Sequence, residues 1–124
     1  MFSKLGQVML YVNDQEAAKH FWTDKAGFHV LKEEESHGMR WIEIAPHQES
    51  ETTLVLHDRA VVEEMSPGVN LGTPSLMFNT DRFDELYQAL SEKGVTVGKV
   101  VDMPSGRVFN FADDEDQYFA VMEK

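Results

Sequence analysis

The sequence contains no cysteine, which excludes a thiolate nucleophile, a disulfide framework and any zinc site built on sulfur. Positive charge is scarce too: 11 Lys and Arg face 22 Asp and Glu, for a net charge of -11 at pH 7. Such a chain repels a phosphate backbone, so nucleic acid is not an expected partner, while a small cationic or neutral ligand is compatible with it. No apolar run approaches the ~20 residues of a membrane-spanning helix. The opening "MFSKLGQ" passes directly into a strand pattern rather than an apolar leader. A cytoplasmic protein with no membrane partner is therefore expected. What remains, 124 residues at 42% hydrophobic and 27% charged, suits one domain that buries roughly two thirds of its unfolded surface.

What is present repeats. "GQVMLYV" alternates with period two, as a strand does. Asp14 then opens "DQEAAKHFWTDKAG", whose acidic first turn, apolar Ala17, Phe21 and Trp22, and closing Gly27 predict a helix of about three turns. The pattern returns as the apolar strand "PSLMFNT" and the helix "DRFDELYQALSEKG", with Phe83, Leu86, Tyr87 and Leu90 on one face. An offset of 67 (81 − 14 and 94 − 27) lays cap on cap and glycine on glycine, although the helical stripes then disagree by one position. Three strand patterns follow each helix. They are "FHVLKEEES", "MRWIEIAP" and "TTLVLHD" in the first half, with a turn at His37-Gly38, and "VTVGKVVDMP", "RVFNFAD" and "QYFAVMEK" in the second, with a turn at Ser105-Gly106. Each half reads β-α-β-β-β. Module one spans 1–58, module two spans 74–124, and the linker 59–73 carries a short helical piece at 61–65 ended by Pro67-Gly68.

These residues resemble a family. Paired βαβββ modules of this size, the "VND" that closes the first strand, the Phe21-Trp22 pair, the "GF" after the helix and the terminal "FADDEDQYFAVMEK" are similar to the vicinal oxygen chelate superfamily. That group includes glyoxalase I, methylmalonyl-CoA epimerase, extradiol dioxygenases, fosfomycin-resistance enzymes and bleomycin-resistance proteins. The resemblance implies an α+β fold in which the two modules form a curved mixed sheet around a cup, helices on the outer face, and a homodimer. In metal-dependent members, His, Gln or Glu on the first and last strands of each half hold a divalent ion. Those places fall here at Gln7, Val55, Pro74 and Val121, of which Gln7 alone carries a donor. One amide oxygen does not hold a hard divalent ion, so no metal or other cofactor is expected. The alternative is a shifted site using His57 and Glu123, two residues beyond Val55 and Val121 on the same strand faces.

Strand alternation assigns the lining of the cup. Gln7, Met9 and Tyr11 share a face, as do Thr53, Val55 and His57, then Leu76 and Phe78, and Phe119, Val121 and Glu123, with Trp41, Glu43, Phe109 and Phe111 joining them. The ligand-binding candidates are Gln7, Met9, Tyr11, Trp41, Glu43, Val55, His57, Leu76, Phe78, Phe109, Phe119 and Val121. This apolar, aromatic lining with a few polar handles suits a planar or partly apolar small molecule. The run "DDED" at 113–116 lacks the ligand spacing of a calcium loop and reads as a solvated hairpin turn, and "MPSGR" is a turn rather than a phosphate loop.

Three readings of function follow. The first is a binding protein similar to bleomycin-resistance proteins, taking a small, partly aromatic or cationic molecule in a metal-free apolar cavity. The second is a metal-dependent lyase, isomerase or dioxygenase in which Glu43, Glu123 or His57 moves a proton. The third is a metal-free enzyme with Glu43 as a base whose pKa is raised by desolvation. The scarcity of donors at the inherited ligand positions favours the first.

Overall fold

The computed structural model describes residues 1–124, which divide into two compact units, Met1–Thr73 and Pro74–Lys124. Each is a βαβββ module, and together they make an α+β fold with two four-stranded mixed sheets. No helix is long and apolar enough to cross a membrane.

In unit 1, β1 (Gln7–Val12) leads into α1 (Gln15–His20), which continues without a break as a π-helical turn over Phe21–Lys25. Asp14 caps α1 by accepting the Ala17 N–H at 3.0 Å, satisfying a donor that the first turn cannot pair internally. Next come β2 (His29–Ser36), β3 (Met39–Ala45) and β4 (Thr53–Asp58). The sheet order is β1-β4-β3-β2, with β1 parallel to β4 and the remaining pairs antiparallel. His37 and Gly38 both have positive φ, 53° and 82°, the backbone that a tight two-residue hairpin requires. The helix side of the sheet is identified by Glu33. It lies opposite Ile42 and reaches Lys19 of α1 at 2.8 Å and Arg40 at 2.6 Å. Leu10, Val12, Ile42, Ile44, Leu54 and Leu56 belong to this side and are buried, together with Ala18, Phe21 and Trp22 of the helix. Asp58 ends β4 and caps α2 (Arg59–Met65) in the same step, through the N–H groups of Ala60 and Val61. The linker helix thus starts two residues earlier than its sequence pattern suggests.

In unit 2, β5 (Met77–Thr80), α3 (Phe83–Glu92), β6 (Val101–Met103), β7 (Gly106–Ala112) and β8 (Tyr118–Glu123) give the sheet order β5-β8-β7-β6. The helix starts one residue later than expected. Arg82, not Asp81, is its N-cap, with no side-chain cap bond, and Thr80 Oγ1 accepts the Arg82 N–H at 3.0 Å. Matching cap to cap therefore relates the units by 68 (82 − 14), under which Ala18, Phe21 and Trp22 fall on Leu86, Ala89 and Leu90. The chain exits the helices through equivalent bonds, Phe28 N–H to Trp22 C=O at 2.8 Å and Val95 N–H to Leu90 C=O at 3.0 Å, which span six residues and five. The extra residue of unit 1 sits in the π-turn, the usual way for a helix to absorb a one-residue insertion.

The strand expected over 95–104 is interrupted. Val97 bridges Phe111, the Gly98 N–H reaches the Asn110 C=O at 2.8 Å, and regular pairing resumes only at Val101. The turn before β7 falls at Pro104-Ser105, and Gly106 follows at φ 138°, where a Cβ would lie 3.0 Å from the Glu123 carbonyl oxygen. Asp113 is buried rather than solvated, at 8% exposure. Its carboxylate accepts the N–H groups of Glu115 at 2.8 Å and Gln117 at 2.9 Å, building the β7–β8 hairpin turn.

Candidate functional site

Each sheet has a helix side and a distal side, and directly opposed residues share a side. On unit 1 the distal side forms rows: Tyr11, His57 and Trp41; Met9, Val55 and Glu43; Gln7 and Thr53. The structure therefore brings all seven unit 1 candidates onto one surface. Val55 and Thr53 are buried at 2% and 6% exposure, while Met9, Tyr11, Trp41, Glu43 and His57 are half-buried and Gln7 is exposed.

Two clusters give this surface its chemistry. Glu43 Oε2 accepts a hydrogen bond from Thr53 Oγ1 at 2.7 Å and another from Gln7 Nε2 at 3.1 Å. These donors, the Thr53 hydroxyl first, hold the Glu43 carboxyl below its ordinary range against the opposing pull of burial, with Lys32 adding a smaller effect. The expectation of a base with a desolvation-raised pKa is thus corrected: two hydrogen bonds to the charged form outweigh partial desolvation. The second cluster is His57, whose ring stacks on Tyr11 with centroids 5.8 Å apart at 27°. Its Nε2 lies 3.3 Å from the Met9 sulfur, its Nδ1 is buried without a hydrogen-bond partner, and burial lowers its pKa. No carboxylate orients the imidazole, so the cluster lacks the partner that general-base histidines carry. Arg59 closes the edge, donating to the carbonyls of Tyr11 and Leu71, each at 2.8 Å.

Unit 2 reverses the expected faces. Phe109 stacks on Tyr87 of α3 at 4.9 Å and meets Phe83 edge-on at 5.2 Å, so its side of the sheet is the helix side. Phe78 and Val121 lie opposite Phe109 through the register, and Phe119 pairs with Phe111 on the same side. Leu76, just before β5, shares the parity of Phe78. Leu76, Phe78, Phe109, Phe111, Phe119 and Val121 are accordingly corrected from cup lining to the α3 side of the sheet. Glu123 goes with them: it takes Arg107 at 2.7 Å, and Arg107 also bonds Asp84 at 3.1 Å and lies over the Phe83 ring. Arg107 holds the Glu123 carboxyl below its usual range. Both Glu123 oxygens accept from Arg107, at 3.0 and 2.7 Å.

The distal side of unit 2 holds residues the sequence reading missed. Met77, Val101, Met103, Val108, Asn110 and Met122, with Gly98, Lys99 and Phe109, line a groove of about 440 Å³. Met77, Val101 and Met103 are each 51% exposed. The one-position disagreement of the helical stripes was the available signal, since an offset of 68 puts Met77 on Met9 and Phe78 on Leu10.

The same shift revises the inherited metal positions. In unit 1 they remain Gln7 and Val55. In unit 2, Gln7 corresponds to Ser75, and Val55, which pairs with Met9, corresponds to Ala120, which pairs with Met77. One amide oxygen, a hydroxyl and two apolar side chains do not fit a hard divalent ion. No group of three or more His, Asp or Glu side chains is placed to hold one elsewhere.

Twin βαβββ units, each with a helix on one side of its sheet and a contoured surface on the other, define a paired-module α+β class of fold. The chain belongs to the Glyoxalase/Bleomycin resistance protein/Dioxygenase superfamily, which it matches over residues 4–120. It is similar to the uncharacterized protein YetH of Bacillus subtilis (strain 168), at 30% identity over 128 residues, 99% of this chain and 100% of YetH. Among solved structures it is similar to TnmS3, an antibiotic binding protein from Streptomyces sp. CB03234. The TM-score is 0.84 at 29% identity, covering 98% of this chain and 96% of that one. A glyoxalase/bleomycin resistance protein from the same Streptomyces gives a TM-score of 0.77 at 30% identity, covering 96% and 99%.

Proposed function

We propose that the protein binds a small, partly aromatic or cationic molecule, in the manner of an antibiotic-binding protein, and that it does so without a divalent metal. The observation that carries this reading is the distal surface of unit 1. It offers aromatic and apolar area from Tyr11, Trp41, Met9 and Val55, with Glu43 held as a carboxylate and His57 without an orienting acid. Such a surface stacks and orients a ligand but lacks the paired acid and base of proton-transfer chemistry. The likeness to TnmS3 supports the same reading, as does the donor-poor set at the family's metal positions. The edge strands β1 and β2, and β5 and β6, are open to pairing, which supports a homodimer.

The test is titration of a panel of aromatic and cationic antibiotics against the full chain, followed by tryptophan fluorescence. Trp22 is fully buried in the helix-side core while Trp41 is half-buried on the distal surface, so a ligand there quenches Trp41. Trp41→Ala is expected to weaken binding by about 1 kcal/mol or more. Unchanged affinity in that variant removes Trp41 from the site. Near-stoichiometric divalent metal in protein purified without chelator or a metal-affinity tag removes the metal-free part of the proposal.

A further inference from the structure

Glu43 is bonded asymmetrically. Both of its hydrogen bonds, from Thr53 and from Gln7, arrive at Oε2, and no donor reaches Oε1. The only cation beside it is Lys32, opposite it on β2 and in register with it, and the Lys32 ammonium is turned to Glu34 at 3.2 Å. On this side Val55 lies across the strand and Met9 beyond it, with Trp41 two residues along β3 and Glu34 opposite Trp41 on β2. A half-buried carboxylate that is oriented by two donors, whose neighbouring ammonium is bonded to another carboxylate and whose second oxygen is open, is an acceptor for a further donor.

We propose that Glu43 Oε1 is the subsite for a charged N–H donor, a protonated amine or amidinium, carried by an aromatic ligand whose ring lies against Trp41 and Tyr11. This rests on the small-molecule reading above and specifies which end of the ligand goes where. Gln7 and Thr53 are the positioning residues. They fix Oε2 and so aim Oε1, which lets a single charge-assisted bond form without first ordering the side chain. The neighbouring Trp41 face adds attraction for the same cation. The chain's net charge of -11 draws cations in general, but a diffuse field is screened by salt, whereas a short contact on an apolar surface is not.

Three probes with one ring system test this: 1-naphthylmethylammonium, 1-naphthylmethanol and 1-naphthoate, titrated by calorimetry against the full chain in about 0.5 M NaCl, where the Debye length falls below about 5 Å. The ammonium is expected to bind about tenfold more tightly than the alcohol, with the carboxylate weakest. Glu43→Gln, which still accepts from Thr53, is expected to bring the ammonium and alcohol within about twofold, with its melting curve as the check on folding. Gln7→Ala, at an exposed position, is expected to reduce the preference partway, and Glu34→Gln, which releases Lys32 to compete for Oε1, is expected to reduce it as well. A preference that survives Glu43→Gln, or equal binding of all three probes to the parent chain, overturns the subsite while leaving the small-molecule reading standing. Binding of none of the probes at millimolar concentration overturns both.

Discussion

Phe109→Ala distinguishes the two sides of the unit 2 sheet by stability. The ring is 1% exposed and contacts Tyr87 and Phe83 of α3 at centroid distances of 4.9 and 5.2 Å. Transfer of a fully buried Phe side chain from water stabilises by about 2–3 kcal/mol, and two oriented ring contacts add about 1–2 kcal/mol. The total falls in the range of about 3–5 kcal/mol found for Phe→Ala in cores. Against a domain stability of about 5–15 kcal/mol this is a large fraction. With an m-value near 2 kcal/mol/M in urea, the unfolding midpoint moves down by roughly 2 M. Met77→Ala is the paired control. Its side chain is 51% exposed on the distal side, and it is expected to cost below about 1 kcal/mol. Equilibrium unfolding of both variants, followed by circular dichroism, decides the matter. A cost under about 1 kcal/mol for Phe109→Ala together with a larger cost for Met77→Ala would show that the sheet presents Phe109 to its distal side after all.

Other consequences are as direct. Burial lowers the His57 pKa below the ordinary 6.5, so the unfolded chain takes up the proton first as pH falls. Stability from this group is complete above about pH 7 and is lost as pH drops from 6.5 through the depressed folded value. His57→Phe, which keeps a ring against Tyr11, should flatten the stability profile between about pH 7 and 5.5, and a slope equal to the parent's would refute the assignment. Gly106→Ala places a Cβ 3.0 Å from the Glu123 carbonyl oxygen at φ 138°, and should destabilise by about 1–3 kcal/mol in thermal or urea unfolding. Deleting Asp24 from the π-turn should convert it to a plain α-turn with a melting shift below about 5 °C. Deleting Gln88 from α3 instead rotates everything after it by about 100° and should abolish cooperative unfolding. Similar outcomes for the two deletions would contradict the insertion argument.

The parts of the fold legible in the sequence are those where polar and apolar residues alternate without ambiguity. β1, β3 and β4 place Leu10, Val12, Ile42, Ile44, Leu54 and Leu56 on one side and polar or mixed residues on the other, so the unit 1 surface can be read from period two alone. In unit 2 that contrast fails. "LMFN" and "YFAVM" are apolar on both sides of the strand, and the side must come from elsewhere. Two anchors were available, and they conflict by one residue. Matching the terminating glycines Gly27 and Gly94 gives 67, while matching the helical stripes gives 68, and a one-residue slip exchanges the sides of every strand. The glycines mislead because the π-turn between Trp22 and Phe28 holds one more residue than its counterpart, and nothing in residue type marks a π-turn. The stripe is the better anchor for a physical reason. Misplacing a buried Leu or Phe forfeits several kcal/mol of burial, whereas an extra residue in a helix end costs little and is tolerated. The same reasoning shows why the Glu43 cluster escapes a linear reading. Gln7, Glu43 and Thr53 lie on three strands, and only their pairing reveals that the Gln7 amide nitrogen and the Thr53 hydroxyl donate to one carboxylate oxygen.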